Sequence, residues 1–424
     1  MTESLNENAW RKLFQKYEIL KIIDQDKIFK ISADQIKEFR EPRLMAKFDH
    51  KNNLPKIFQD NKLSILPITR GEYVIGNFDC YHEFETANEK IFKFSLPNYI
   101  QSLDCENIFS ESIALNVALA AGIIADFIED EEIISTVAGR MSSGTFDFDI
   151  INRKNNSSYN LQVQNSQIEI DAAYEGLKYL AIFEAKRELA EDFLIRQLYY
   201  PYRTWSEKIA KSVKTVFFVY SNGIYRLYEY KFENPQNYNS LKLVKQKNYS
   251  AEDTTINLEE IQKILREIEI KPEPQIPFPQ ANNFERVINL CELLNKNELT
   301  GEEITENYDF DARQTDYYTR AAMYLKLVQK LNSDKYSITD FGKKILKLSF
   351  KQRQLSYCKC ILSHKVFADT LKKYFERGEI PSIKEIVQIM KNSNLYKIES
   401  ENTYERRAST IRKWLNWIVN LVNE

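Results

Sequence analysis

The stretch QIEIDAAYEGLKYLAIFEAK, residues 167–186, carries three charged side chains in and beside two apolar runs. These are Asp171, Glu184 and Lys186. Removing an unpaired charge from water costs several kcal/mol, roughly, so a sequence that does this repeatedly over a short span usually has a compensating ligand or a chemical task. A bound metal ion would be such a ligand.

The two apolar runs have the pattern of a β-hairpin, and its geometry decides which charges meet. Side chains alternate between the faces of a strand, so Glu169 and Asp171 share one face of the first run, as Glu184 and Lys186 do of the second. A two-residue turn at positions 176–177 would place Glu169 opposite Glu184. All four ionisable groups then lie on one face of the hairpin.

The residue types available for metal binding point to oxygen ligands. The chain has three histidines and five cysteines, without a CxxC pair, which leaves little material for a zinc site. Two converging carboxylates suit Mg²⁺, which prefers oxygen ligands and keeps several waters. Such an ion lowers the pKa of its own water beside a phosphodiester, and Lys186 would orient or deprotonate that water and neutralise the phosphorus oxygens.

The acid-x-Lys pattern by itself carries little information. It occurs five times, at 49–51, 60–62, 184–186, 229–231 and 269–271. Only the triplet at 184–186 closes an apolar run and has a second strand-borne acid shortly upstream. The alternative is an exposed hairpin face with an ordinary Glu-Lys pair.

Asp171 followed by Glu184-Ala185-Lys186 resembles the signature of the PD-(D/E)XK nucleases, and EID, FEAK and RQLYYPYR together are similar to type II restriction endonucleases of that superfamily. The resemblance covers about residues 106–250. It implies an α/β core with a mixed sheet flanked by helices, dependence on Mg²⁺, and cleavage of double-stranded DNA. By motif position it implies metal ligation by Asp171 and Glu184 and activation of water by Lys186. Isoleucine, not proline, precedes Asp171 here.

Three further residues are candidates for accessory roles. Members of the superfamily often carry an acid on a preceding helix, and Glu111 at the start of a buried helix could fill that place, or simply be a charge at a helix N-terminus. Glu169 lies two residues from Asp171 and competes with it as a ligand. Gln197 lies on the helix after the lysine strand, where some relatives use a Gln-x-x-x-Tyr pattern. The polar segment GRMSSG, 139–144, is predicted as a loop.

Changes in composition and pattern along the sequence predict several domains. The segment KPEPQIPFPQ, 271–280, holds four of the eleven prolines and is the most credible linker. The predicted domains are an N-terminal α+β unit (1–105), the α/β nuclease domain (106–270), a winged helix-turn-helix domain after the linker (281–350) and a second helical or winged-helix-like domain (351–424).

The C-terminal part has the features of a DNA-binding region. From Asp311 onward it contains 22 Lys and Arg against 12 Asp and Glu, although the whole chain has a net charge of −2. Capping patterns at Thr300 and Glu303, at Thr339, and at Ser382 and Glu385 predict helix starts. Helix, helix, helix and wing in this order resemble a winged helix, a module that also binds proteins. The predicted outward residues for DNA are Arg313, Gln314, Thr315, Tyr317 and Arg320 on the third helix and Arg406, Arg407, Thr410 and Lys413 on the last.

These observations lead to the hypothesis of a sequence-specific DNA endonuclease of the type II restriction class, with Mg²⁺ as cofactor and a role in phage defence. Its expected partners are double-stranded DNA and, functionally, a protecting DNA methyltransferase; a homodimer is left open. The start of the sequence lacks a secretory pattern and no apolar run is long enough to span a membrane, so we expect a cytoplasmic protein. The alternatives are a nuclease that cuts only methylated DNA and a non-catalytic DNA-binding regulator with a nuclease-like fold.

Overall fold

The structure is a computed structural model that describes residues 5–85, 90–105, 108–393, 395–398 and 400–422. These residues divide into two compact units. The first unit comprises the described residues up to Tyr220 together with Ile224–Tyr249, and the second comprises Ser221–Gly223 and the described residues from Ser250 onward. Among the described residues, no helix is both long enough and apolar enough to cross a bilayer.

The first unit begins with short helices packed on a small antiparallel sheet. In chain order the elements are α1 (Leu5–Lys16), α2 (Ile19–Asp26), β1 (Ile28–Ser32), α3 (Ala33–Lys37), α4 (Pro42–Met45), a 3-10 helix (Lys51–Asn53), α5 (Lys56–Asp60), β2 (Ser64–Pro67) and β3 (Glu72–Gly76). The central strand β3 pairs with β1 and β2. The rings of Trp10, Phe14 and Phe58 meet edge to face and form the centre of a separate core.

The rest of the first unit is built on a large mixed sheet. Its elements are β4 (Tyr81–Glu83), β5 (Ile91–Lys93), α6 (Glu111–Ala120), α7 (Ile123–Ile128), β6 (Ile134–Ser142), β7 (Thr145–Ile151), β8 (Ser158–Gln164), β9 (Gln167–Glu175), β10 (Tyr179–Lys186), β11 (Asp192–Leu194), α8 (Arg196–Ser206), β12 (Ser212–Ser221), β13 (Ile224–Phe232) and β14 (Leu241–Ser250). Within the described residues the sheet order is β5-β14-β13-β12-β10-β9-β6. Strand β10 is parallel to β12 and antiparallel to β9. The expectation of an α/β fold with a mixed sheet is confirmed.

Helices cover both faces of this sheet, because the central strands are apolar on both sides. On one face, Ala181, Phe183 and Ala185 of β10 share a core with α6 and α7. On the other face, Leu180 and Ile182 share a core with α8 and with the β7–β8 hairpin. Even-numbered residues of β10 therefore face α8.

The β9–β10 hairpin differs from the predicted register by two residues. Ile182 pairs with Ala173, and the backbone N–H of Gly176 donates a hydrogen bond of 3.0 Å to the carbonyl of Tyr179, so the turn lies one position later than predicted, at positions 177–178. Asp130 stabilises this turn, because its Oδ2 accepts hydrogen bonds from the backbone N–H groups of Lys178 and Tyr179 at 2.8 and 2.9 Å. A shift of two residues keeps the paired part of the hairpin, residues 172–175 and 180–183, on its predicted faces, whereas a shift of one would reverse it.

The second unit is mostly helical. Its elements are α9 (Leu258–Glu267), α10 (Phe284–Leu294), β15 (Leu299–Thr300), α11 (Gly301–Asn307), α12 (Ala312–Tyr324), β16 (Val328–Lys330), β17 (Lys335–Ile338), α13 (Asp340–Leu346), α14 (Phe350–Leu362), α15 (Lys365–Arg377), α16 (Ile383–Lys391) and α17 (Glu401–Asn420). The capping interactions predicted at Thr300, Thr339 and Ser382 are present. The three short strands pair antiparallel in the order β15-β17-β16.

The observed division of the chain differs from the predicted linker at 271–280 and from the predicted boundary at 350. One hydrophobic core extends from Ile256 to Ile418 and includes α10–α13 as well as α14–α17. The proline-rich segment belongs to this core, since Phe278 is 3% exposed and stacks on Phe367. The indole Nε1 of Trp414 donates a hydrogen bond of 2.7 Å to the carbonyl of Ala281. The four prolines of this segment favour a linker by composition, but its apolar residue Phe278 anchors it in the core, and composition alone does not reveal that contact.

Because α17 shares this core, we expect Trp414→Ala to lower the free energy of unfolding of the second unit by about 3–5 kcal/mol, the typical cost of truncating a buried aromatic side chain. Urea denaturation followed by circular dichroism measures this change. The neighbouring exposed Lys413→Ala is the control and should change stability little. Limited proteolysis should not release a stable fragment that ends near residue 350; such a fragment would contradict a common core.

Candidate active site

The end of β10 carries the two charged residues that the apolar run predicted. Glu184 and Lys186 are even-numbered, so they face α8, and Glu184 is only 8% exposed. The last residues of β10, 184–186, pair with β12, whereas the pairing of β10 with β9 ends at Phe183. A carboxylate in such a place must find partners within the protein or bind a cation.

Glu184 receives two hydrogen bonds on the same oxygen. The Nζ of Lys186 and the Nε2 of Gln197 each lie 2.6 Å from Glu184 Oε1. Gln197 is in the first turn of α8, so the packing of this helix against the sheet delivers the amide to the strand end. The sequence predicted Gln197 as an accessory residue, and the structure brings it into direct contact with Glu184.

Asp171 reaches the same strand end from β9. Its Oδ2 accepts a hydrogen bond of 2.8 Å from the backbone N–H of Ala185, the residue between Glu184 and Lys186. The three residues of the predicted motif, Asp171, Glu184 and Lys186, are therefore brought together.

A β-bulge at Asp171 breaks the alternation that was expected along β9. Ala173 pairs with Val137 and Ile170 pairs with Gly139, so two residues of β9 stand against one residue of β6. Gly139 has a φ of 92°, a left-handed value that favours glycine. The segment GRMSSG, which was predicted as a loop, thus supplies the end of edge strand β6 and the partner of the bulge.

The bulge excludes Glu169 from the cluster. Ile168 and Ile170 point into the core that contains α8, so Glu169 between them points the other way. Its side chain is half exposed and is bonded to Arg140 Nε at 3.3 Å. The expectation that Glu169 and Asp171 share a face, with Glu169 as an accessory acid, does not hold, because the predicted strand was regular and the real one is not.

Glu111 lies at the first position of α6, after the N-cap Ser110. Burial raises the pKa of its carboxyl group, Lys186 lowers it, and Glu188 and Asp171 raise it further. The charges of the cluster therefore influence the pKa of Glu111, as expected for an acid on a preceding helix.

Burial and neighbouring charged groups together determine the pKa values of the cluster. Burial raises the pKa of Glu184 to about 7, and the charges of Asp171 and Asp49 act in the same direction, whereas Lys186 opposes them. Burial alone would lower the pKa of Lys186, but Glu184, Asp49 and Glu188 raise it well above its ordinary value. Lys186 is therefore an ammonium group that is surrounded by acids.

The donor set fits a hard divalent cation. Asp171, in the middle of β9, and Glu184, near the end of the adjacent strand β10, offer carboxylate oxygens, which are the ligands that Mg²⁺ prefers. Within the described residues, Gln197 Oε1 and Asp49 Oδ1 are buried without a hydrogen-bond donor. Buried oxygens are nearly always satisfied, so orphaned ones beside crowded carboxylates mark a place that suits a cation.

Asp49 is the residue that the sequence analysis missed. It lies between α4 and the 3-10 helix, more than a hundred residues before the motif, and it contributes to the electrostatics of both Glu184 and Lys186. Its only local signal was the triplet DHK at 49–51, one of the acid-x-Lys triplets that the sequence analysis passed over. A long-range contact of this kind leaves no periodicity in the sequence.

The predicted DNA-contact residues of α12 lie on its outer face, with one exception. Arg313 and Arg320 are exposed, and Gln314 and Tyr317 are partly so. Thr315 is a correction: it is 4% exposed, and its Oγ1 lies 2.7 Å from Thr305 Oγ1. The packing of α11 on this side of α12 covers Thr315.

On α17 the predicted polar face is divided in the same way. Arg406 and Lys413 are exposed. Thr410 is fully buried and donates a hydrogen bond of 2.9 Å to Asn282 Oδ1, which corrects its prediction as an outward residue. Arg407 is partly buried and donates to Gln280 Oε1 at 2.6 Å. The segment before α10 therefore contacts Arg407 and Thr410, two of the four α17 residues that were expected to be free for DNA.

The outer faces of α12 and α17 are neighbours in the second unit. Burial lowers the pKa of Arg407, and the charges of Arg406 and Arg320 lower it too, whereas Tyr317 and Asp316 raise it. Residues from both helices thus act on one guanidinium group. This coupling joins Arg320 of α12 with Arg406 and Arg407 of α17. We use the name α12–α17 surface for these three arginines together with the exposed Arg313 and Lys413 of the same two helices.

Comparison with known proteins gives three matches, all to families described only as domains of unknown function. Residues 7–75 match DUF6996, residues 76–250 match DUF6997 and residues 286–423 match DUF7226. No curated protein and no solved structure matches the chain. Asp49 lies in the first matched region and the motif residues lie in the second, while the third region spans both predicted C-terminal domains.

Because a divalent cation would relieve the repulsion between the carboxylates, we expect Mg²⁺ to stabilise the wild-type protein. At roughly ten to a hundred times the dissociation constant, the gain in unfolding free energy is about 1–3 kcal/mol. Thermal unfolding with and without Mg²⁺ measures it. Glu184→Gln should lose most of the gain, and Glu169→Gln, which removes an acid outside the cluster, should keep it. An equal response of both variants would contradict the assignment of the ligands.

Proposed function

We propose that this protein is a Mg²⁺-dependent endonuclease that cuts double-stranded DNA, of the type II restriction class. The observation that carries the proposal is the convergence of Lys186 and Gln197 on one oxygen of Glu184, with Asp171 beside them. Two acids and a lysine on adjacent strands, with a glutamine from the following helix, agree with the arrangement that the resemblance to PD-(D/E)XK nucleases implies.

Each residue has a distinct task in this proposal. Asp171 and Glu184 would hold Mg²⁺, which supplies an acidified water and stabilises negative charge on the phosphate. The high pKa of Lys186 favours a protonated amine, which orients water and donates to a phosphorus oxygen as negative charge develops there. Gln197 fixes the orientation of the Glu184 carboxylate through its amide hydrogen bond.

The second unit supports binding of DNA. The order α10, β15, α11, α12, β16, β17 resembles that of a winged helix, in which the third helix enters the major groove. Here α12 is the third helix, and its outer residues join those of α17 in the α12–α17 surface. Arginines suit this task because they contact both phosphates and guanine edges. A paired DNA methyltransferase would protect the host genome from the activity.

DNA cleavage tests the catalytic part of this proposal. Wild-type protein with Mg²⁺ should convert phage-length DNA to discrete fragments, visible on a gel. Asp171→Ala should abolish cleavage and keep DNA binding, because it removes a metal ligand and leaves the basic surface intact. Lys186→Ala should lower the rate by about 10²–10³, the usual effect of losing one group that stabilises transition-state charge.

Methylated and unmethylated substrates should be compared side by side. Cleavage of methylated DNA alone would identify a modification-dependent nuclease. Tight binding without cleavage in any divalent metal, together with indifference to Lys186→Ala, would contradict the endonuclease and favour a DNA-binding regulator.

The α12–α17 surface makes a separate prediction about affinity. The double variant Arg320→Ala, Arg406→Ala should weaken DNA binding and reduce the slope of log K against log salt by about one to two, because each lost phosphate contact removes roughly 0.9 from the slope. Fluorescence anisotropy at several salt concentrations measures it. Arg377→Ala is the control, because this exposed arginine belongs to an ion pair with Glu385 elsewhere in the unit. An unchanged slope in the double variant would place the DNA elsewhere.

A further inference from the structure

We propose that Asp49 is a third carboxylate ligand of the divalent cation, so that the active site is composite. The motif residues come from the region 76–250, and the additional ligand comes from the region 7–75. This inference rests on the metal site of the proposed function and assigns a catalytic task to the N-terminal part of the chain.

The backbone around Asp49 is fixed on the strand that leads into α8. The carbonyl of Asp49 accepts a hydrogen bond of 2.9 Å from the N–H of Leu194 in β11. One residue further, His50 Nδ1 lies 2.7 Å from the carbonyl of Asp192, and the N–H of Lys51 donates to the Asp192 carboxylate at 3.2 Å. The segment 49–51 is therefore bonded residue by residue to β11.

This attachment places Asp49 beside the catalytic cluster. Leu194 is three residues before Gln197, whose amide is bonded to Glu184. The carboxylate of Asp49 acts on the charges of both Glu184 and Lys186, as expected at close range. The backbone attachment to β11 and the influence of Asp49 on the pKa values of Glu184 and Lys186 are both consistent with a position near the end of β10.

The side chain of Asp49 is an ionised carboxylate with an unused oxygen. Burial raises its pKa, but Lys186, Lys47, Arg196 and His50 together hold it below the ordinary value. Among the described residues its Oδ1 is buried without a hydrogen-bond donor, and its Oδ2 lies 3.8 Å from Nζ of the largely exposed Lys47. An ionised carboxylate with a desolvated oxygen is poorly satisfied by the protein alone and well suited to a cation.

A purely electrostatic role is the competing explanation. Asp49 could serve only as a counter-ion of Lys186, whose amine it also influences. The two roles differ in a measurable way, because a counter-ion of Lys186 affects catalysis without supplying oxygen to the metal. Binding of the metal to the free protein therefore separates them.

Titration of the full-length protein with Mn²⁺, followed by electron paramagnetic resonance, tests the assignment without any need for activity. We expect Asp49→Asn to weaken Mn²⁺ binding by about tenfold or more, comparable to or larger than the effect of losing an outer-shell partner of a metal site. The matched control is Asp60→Asn, an exposed acid of α5 that is paired with Lys56. Wild-type affinity in Asp49→Asn would overturn the proposal, and a rate defect alone would make Asp49 a positioning residue of Lys186.

A second variant guards against a folding defect in the first. Asp49→Cys should gain affinity for Cd²⁺ relative to Mn²⁺, because a thiolate prefers the softer metal. Asp60→Cys, measured in parallel, gives the Cd²⁺ affinity of a thiol that lies outside the site. Absence of a Cd²⁺ preference in a folded Asp49→Cys protein would count against ligation.

Cleavage of DNA by the same samples separates this inference from the proposed function. If Mn²⁺ binding depends on Asp49 but the wild type cuts no DNA, the endonuclease fails and the ligand assignment stands. If the wild type cuts DNA and Asp49→Asn binds Mn²⁺ normally, the assignment fails and the endonuclease stands. A wild type without Mn²⁺ binding overturns the assignment.

Discussion

The site depends on one physical constraint, which is that the carboxylate of Glu184 is held at the end of a central strand where water is scarce. Such a group destabilises the fold unless it is bonded or neutralised. Lys186 and Gln197 do this through a shared oxygen, and each requires a different element to be in place. The strand delivers the lysine, and the packing of α8 delivers the amide. The chemistry of the site is thereby tied to the assembly of the sheet.

The β-bulge in β9 determines which acids take part. A regular strand would have carried Glu169 to the same face as Asp171. The extra residue instead turns Glu169 to the exposed side, toward Arg140, and lets Asp171 bond the backbone of β10. Bulges often redirect a side chain beside an active site. In this protein the redirection depends on β6, an edge strand whose glycine adopts a left-handed conformation.

Both candidate surfaces are assembled from distant parts of the chain. Asp49 reaches the cluster because segment 49–51 is bonded to β11, and α17 contributes to the basic surface because it shares one core with α12. The same packing removes Thr315 and Thr410 from the surface. Contacts between distant segments therefore bring Asp49 toward the site and bury Thr315 and Thr410 away from solvent.

The sequence by itself determined the mixed α/β class, the strands of the hairpin, the helix starts at capping residues, and the shared face of Glu184 and Lys186. Each of these follows from local periodicity or from a side chain that bonds its own backbone. Only the tertiary structure decided the bulge, the entry of Asp49 and the single core of the second unit. These depend on which segments meet in space, and neither alternation nor composition records that, because the contacts join residues that are far apart in the chain.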